Sequence, residues 1–194
     1  MGRRTAGTGP GRRQTKNLRS RSMSLGYFID HVVIAGFLGL LLVAAISDFR
    51  EFLIPNRIVG AVLLLYPAHV LASPAPVAWQ VALIIGAITF VAGFVLFLFK
   101  GMGGGDVKLL TGVALWAGAQ HFMAFTVITL IAAMVLATAM AARIAAQGAQ
   151  TPEGFSYGAF FGALRFSPIL TMTVPYGVAI ATGGMYVGAQ LLVG

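Results

Sequence analysis

The stretch VAWQVALIIGAITFVAGFVLFLF, Val77–Phe99, decides the fold. It holds no Asp, Glu, Lys, Arg or His. A bilayer core about 30 Å thick is crossed by roughly 20 predominantly apolar residues in a helix. In hydrocarbon each backbone N–H and C=O must be paired within the segment, which favours helix over an isolated strand. The whole chain follows the same bias: 58% of its residues are hydrophobic and only 9% charged, with a mean hydropathy of +0.89. A soluble domain carries about 25% charged residues, so too few polar side chains remain here to cover a water-facing surface.

Working outward, Ser73-Pro74-Ala75-Pro76 precedes this stretch and GMGGG (101–105) follows it. Further apolar runs occupy 28–47, 58–72, 107–117, 122–142 and 174–193. Pro55 suits the entrance to the second run, and Ala119–His121 interrupts the chain between the fourth and fifth. The fold class expected is an all-α, polytopic transmembrane helical bundle of about six spans, or five if the short fourth run is re-entrant. The domain organisation expected is a basic tail over residues 1–22 and a transmembrane domain over residues 23–194. There is no cysteine, which excludes disulfides, thiol nucleophiles and Cys-ligated zinc.

The net charge of +8 is a property of the tail. Seven of the thirteen Lys and Arg lie before Met23 with no acid among them, and the remainder of the chain has six against five Asp and Glu. It therefore gives no ground for a folded nucleic-acid-binding surface. The tail has little to bury and is expected to be disordered. The six other cations, Arg50, Arg57, Lys100, Lys108, Arg143 and Arg165, fall in alternate connections and so on one membrane face. Positive charge marks the cytoplasmic side. Seven cations at the N-terminus oppose that orientation, so the working chain is expected to start at or near Met23, with residues 1–22 dispensable.

Asp48 closes the first run and Asp106 opens the fourth, which puts both at the cytoplasmic face. At a span end a carboxylate costs less than the roughly 2.5–3.5 kcal/mol of the helix centre, so for either alone an interfacial capping or ion-pair role explains it as well as chemistry does. The pair says more. Two carboxylates sharing a site do not both ionise easily; the ionised one can draw a proton from water while the protonated one polarises a peptide carbonyl. Gly103-Gly104-Gly105 beside Asp106 supplies backbone a peptide can approach, and on its own reads equally as a turn between helices.

Asp48-Phe-Arg-Glu-Phe-Leu-Ile-Pro-Asn56 resembles the first signature of prepilin peptidases, an Asp followed shortly by Ile-Pro-Asn. Gly103-Gly-Gly-Asp106-Val-Lys108 resembles their second, the GxGD motif, and Pro175-Tyr176-Gly177 a third feature near the C-terminus. The resemblance spans roughly residues 40–190; one departure is Thr173-Val174, where a basic residue is expected. It implies that Asp48 and Asp106 are the catalytic aspartates of an intramembrane aspartyl endopeptidase, multi-pass in the bacterial inner membrane. Its partners would be prepilin and pseudopilin substrates and the lipid bilayer, with no cofactor. The nearest type is the short CpaA/TadV one, which processes Flp-family pilins. Larger relatives carry a Cys-rich insertion and also methylate the new N-terminus; a chain without cysteine is expected to cut without methylating.

Gly103, Gly105, Lys108, Pro55, Asn56, Pro175, Tyr176 and Gly177 are the remaining candidates for substrate binding or site shaping. Lys108 and Arg50 suit binding of substrate acids or tuning of the pair, and topology and headgroup contact explain them equally; Pro55 and Asn56 suit the shaping of a helix start. His31, His69 and His121 map to the outer face without metal-ligand spacing. A small transporter or proton channel would place its acids near the midplane on broken helices, and a pilus assembly factor without activity would need no acid pair. The topology is checked with reporter fusions: those within 50–57, 100–105 and 145–165 are expected to read cytoplasm, those near 74 and 119 the outside. The reverse pattern would undo the placement of both Asp residues.

Overall fold

The computed structural model describes the backbone of residues 10–148 and 175–193 and the side chains of residues 25–143 and 175–193. The described residues form five helices: α1 (Pro10–Glu51), α2 (Asn56–Ala72), α3 (Trp79–Leu98), α4 (Gly104–Gly148) and α5 (Tyr176–Val193). Four segments are long and apolar enough to cross a membrane: Leu25–Glu51, Trp79–Leu98, Gly104–Arg143 and Tyr176–Val193. Helix α2, at 17 residues, is shorter.

Two features of the helices have local causes. The break expected between the fourth and fifth runs falls at Gly118 (φ 51°, ψ −165°), whose non-helical backbone kinks α4 into two helical pieces; the described residues thus hold five helices, α4 in two pieces, against about six expected spans. Glycine accepts that positive φ because it has no Cβ. Helix α1 reaches back to Pro10, so residues 10–22 are helical where a disordered tail was expected. Extending a helix that already exists costs far less than nucleating one, and Arg, Gln, Lys and Leu are good helix formers. Residues 1–9 and the segment 149–174, with Glu153, Arg165 and Thr173-Val174, lie outside the described residues.

Helix α4 packs against α2, α3 and α5, and α1 packs against α2 and α5. Helix α3 turns its small residues toward the bundle and its large apolar ones outward. On α3 the buried residues are Ala82, Gly86, Thr89 and Gly93, while Leu83, Ile84, Ile88, Val91, Val95 and Leu98 are exposed. Small residues let helix backbones approach where lipid removes the hydrophobic drive between helices. A Cβ at Gly86 would stand 2.8 Å from Leu115 Cδ2, and one at Gly184 2.6 Å from Leu41 Cδ1. Gly93 and Gly112 meet Val107 and Val62 in the same way, at 3.0 and 3.2 Å.

On α1 the buried positions are Asp30, Ile34, Phe37, Leu41, Ala44 and Asp48. Their spacing alternates between four and three, which is one face of an α-helix. The stripe begins and ends on an acid, and at 1.5 Å per residue the two lie about 27 Å apart along the axis. At the first end His69 Nδ1 on α2 donates to Asp30 Oδ1 at 2.6 Å. The imidazole stacks on Trp116 of α4 (ring centroids 5.1 Å), which stacks on Phe37 of α1 (4.1 Å) and donates from Nε1 to Val62 O at 3.0 Å. This cluster joins α1, α2 and α4 at the end away from Asp48.

Removing one partner of a buried hydrogen bond strands the other, at about 1–3 kcal/mol. Asp30→Leu and His69→Ala are each expected to lower the melting temperature in detergent. The double variant is expected to melt no lower than the worse single one. Singles that melt like the parent would show that the pair holds nothing.

Candidate active site

Asp48 lies three residues before the end of α1, and the chain must turn at once. Phe52 closes the helix in the left-handed region (φ 51°) with its N–H donating to Asp48 O at 2.9 Å. Ser47 Oγ donates to Leu53 O at 2.8 Å across the turn. A residue preceding proline is disfavoured in helical geometry, so Ile54-Pro55 keeps the connection extended and α2 opens at Asn56 with Pro55 as its cap residue (φ −60°, ψ 133°).

Asp106 stands in the first turn of α4. Helix α3 ends with Lys100 in the left-handed region (φ 58°), its N–H donating to Phe97 O at 2.9 Å. The glycine run that follows serves close approach: among the described glycines only Gly118 has a positive φ. Gly103 N–H donates to Asp106 Oδ2 at 3.2 Å, and a Cβ at Gly103 would stand 2.8 Å from that oxygen. A Cβ at Gly105 would stand 3.3 Å from both Cβ and O of Ile54.

The third strand of the site is the start of α5. Val178 N–H donates to Asp48 Oδ2 at 3.3 Å. A Cβ at Gly177 would stand 2.8 Å from Asp48 Oδ2 and 2.7 Å from Ile54 Cδ1. Backbone N–H groups at a helix start suit a carboxylate oxygen, because those donors have no intrahelical partner.

Asp48 and Asp106 thus lie at one end of the bundle on either side of Ile54, which backs onto Gly105 beside Asp106 and onto Gly177 beside the Val178 N–H that holds Asp48. Both are buried, at 3% and 9% exposure, in helices whose outer faces are apolar. Asp106 Oδ1 is buried and has no hydrogen-bond partner among the described residues; such an atom calls for an explanation, and a reactive role is one. The arrangement has what acid–base hydrolysis needs: two carboxylates in one low-polarity site, each with one oxygen fixed by backbone.

The other candidates divide. Lys108 Nζ donates to Asn56 Oδ1 at 3.0 Å, tying the starts of α4 and α2 on the exposed side of the site. Pro55 is half-buried beside Ile54. Pro175 is buried, and Tyr176 packs half-buried against the apolar core. Arg50 and Arg57 are exposed near the same end. His31 donates from Nδ1 to Tyr27 O at 2.7 Å, and His69 is engaged with Asp30, both on the far side. Among the described residues no three His, Asp or Glu side chains converge as metal ligands. Two features escaped the sequence reading. One is the Asp30–His69 pair, for which the buried stripe on α1 was the available signal. The other is the Val178 N–H, since a backbone donor leaves no trace in side-chain identity.

Comparison with known proteins gives one family. The model of the type IV leader peptidase family matches residues 35–141, which include both acids. No curated protein and no solved structure gives a significant match.

Gly177 supplies the sharpest test of this geometry. Overpacking a tight site costs about 1–3 kcal/mol, and a methyl at Gly177 meets the carboxylate itself. Gly177→Ala is expected to lower leader-peptide cleavage at least tenfold in membranes matched for protein amount. Gly60→Ala, on a helix surface with nothing within 4 Å, is expected to stay within twofold of the parent. Equal activities would mean that the close approach at Gly177 does not matter.

Proposed function

The chain belongs to the type IV leader peptidase family, and from that premise we propose that it is an intramembrane aspartyl endopeptidase that removes the leader of prepilins through Asp48 and Asp106. The observation that carries the reading is the convergence of these two buried acids from opposite ends of α1 and α4, one with an unpartnered oxygen. In this mechanism one carboxylate accepts a proton from water, and the resulting hydroxide equivalent adds to the scissile carbonyl carbon. The other, protonated, carboxyl donates to the carbonyl oxygen. The tetrahedral diol then collapses: the C–N bond breaks, the amine takes a proton, and one acid and one amine leave. The two carboxyls exchange roles within the cycle, so the pair titrates as a unit.

The substrate proposed is a prepilin or pseudopilin of the Flp type, cut at the cytoplasmic face. Arg50, Arg57, Lys100 and Lys108 all flank the end that carries the two acids, and cationic flanks mark the cytoplasmic side. The edge position of both acids favours this reading over a proton channel, whose acids sit near the midplane. Chemistry at the N-terminus stops at cleavage: the chain has no cysteine, and the α1–α2 connection is a short turn without a Cys-rich insertion.

Asp48→Asn and Asp106→Asn are each expected to abolish the gel shift of a co-expressed prepilin while membrane levels stay near normal. Substantial cleavage by either would end the assignment. Mass spectrometry of pilin matured by this chain alone is expected to show a free, unmethylated N-terminus. A methyl group dependent on this chain would contradict the proposal.

A further inference from the structure

Ile54 stands apart from its neighbours. Phe52 and Leu53 are 48% and 60% exposed, yet Ile54 is 6% exposed. The α1–α2 turn therefore sends a single apolar side chain inward, and that side chain meets two glycines on two other helices. Its Cβ and O back onto Gly105, the residue before Asp106; its Cδ1 backs onto Gly177, the residue before the Val178 N–H that holds Asp48. Ile54 is also six positions along the chain from Asp48, joined to it through a turn closed by the Phe52 and Ser47 hydrogen bonds. The residue's Cβ and backbone thus lie against the backbone that carries one acid, and its Cδ1 against the backbone that grips the other.

We propose that Ile54 is a positioning residue: a wedge between α4 and α5 that sets the separation and orientation of Asp48 and Asp106. The proposal rests on the reading of these acids as the working pair. The two glycines are the recesses that receive the wedge, since a Cβ at either would collide with it or leave it no room. Close-packed interiors transmit a change of one methyl group, and misplacing a reacting group by about 1 Å can cost on the order of a hundredfold in rate. Ile54→Ala keeps the Cβ against Gly105 and empties the space at Gly177, so it acts on the turnover step through the α5 backbone that grips Asp48. It should leave substrate affinity almost untouched, because Ile54 is buried behind the acids' backbone and presents little surface to a substrate.

The test has a kinetic arm and a geometric arm. In purified enzyme Ile54→Ala is expected to lower kcat at least tenfold with KM within twofold. Ile54→Leu keeps the volume but moves the branch away from Cβ; it is expected to fold like the parent and still lower kcat at least threefold. Leu41→Ala, a core truncation elsewhere on α1, controls for lost stability and is expected to keep kcat within twofold. The geometric arm needs no activity. The chain has no cysteine, so Asp48→Cys with Asp106→Cys introduces its only two thiols. Thiol-reactive cross-linkers of graded length then report their separation, and adding Ile54→Ala or Ile54→Leu is expected to shift the preferred length or lower the yield with the shortest reagent. An unchanged cross-linking profile overturns the proposal, and so does an Ile54→Leu enzyme with the parent's kcat. Cleavage surviving in Asp48→Asn or Asp106→Asn would sink the functional reading instead, and the cross-linking result would then decide the wedge by itself.

Discussion

A carboxylate at the edge of an apolar bundle needs donors, and in this protein the donors are backbone N–H groups at helix starts. Gly103 supplies one to Asp106 and Val178 one to Asp48. A Cβ beside either acid would crowd its carboxylate, and the positions there are glycines: Gly103 at Asp106 and Gly177 at Asp48. The same need sets the larger geometry. The starts of α4 and α5 must lie beside the end of α1, which requires α2 and α3 to return the chain to that end. Lys108 and Asn56 close the exposed side of the arrangement.

The opposite end of α1 is held by a different kind of contact. Asp30 and His69 pair beneath a stack of Trp116 and Phe37, so that end is fixed by side chains, with aromatic surface and a buried hydrogen bond sharing the work. Between the two ends the helices approach through small residues, at Gly86, Gly112 and Gly184 among others. Large apolar side chains are left to face outward on α3 and the later part of α4, where hydrocarbon would be their solvent. Polar anchoring at each end with small-residue packing between gives a frame in which α1 has little freedom to slide.

Much of this was legible before the structure. The apolar runs announced the helices, because hydrocarbon leaves the backbone few other ways to satisfy itself. Asp48 and Asp106 stood out because carboxylates are costly there and each adjoined a turn. The break near Ala119 was visible too, though its cause is Gly118, one residue earlier, where a positive φ is needed. What the sequence concealed depends on long-range packing. Ile54 is legible as the first residue of Ile-Pro-Asn, and only the fold shows that it turns inward where Phe52 and Leu53 turn outward. The helical reach of α1 back to Pro10 was hidden by composition, since Gly, Arg and Ser suggest a solvated tail while saying nothing of a helix extended from its neighbour. His69 looked solitary because its partner lies 39 positions away.

In the proposed mechanism Asp48 and Asp106 act as a single unit. The most direct measurement is a single-turnover comparison of purified Asp48→Asn, Asp106→Asn and the double variant on one prepilin substrate. Groups that work together in one step are strongly non-additive when removed. Each single variant is expected to lose nearly all of the rate, and the double variant to be no slower than the slower single one. Independent losses that multiply in the double variant, or one single variant that retains most of the parent rate, would contradict it.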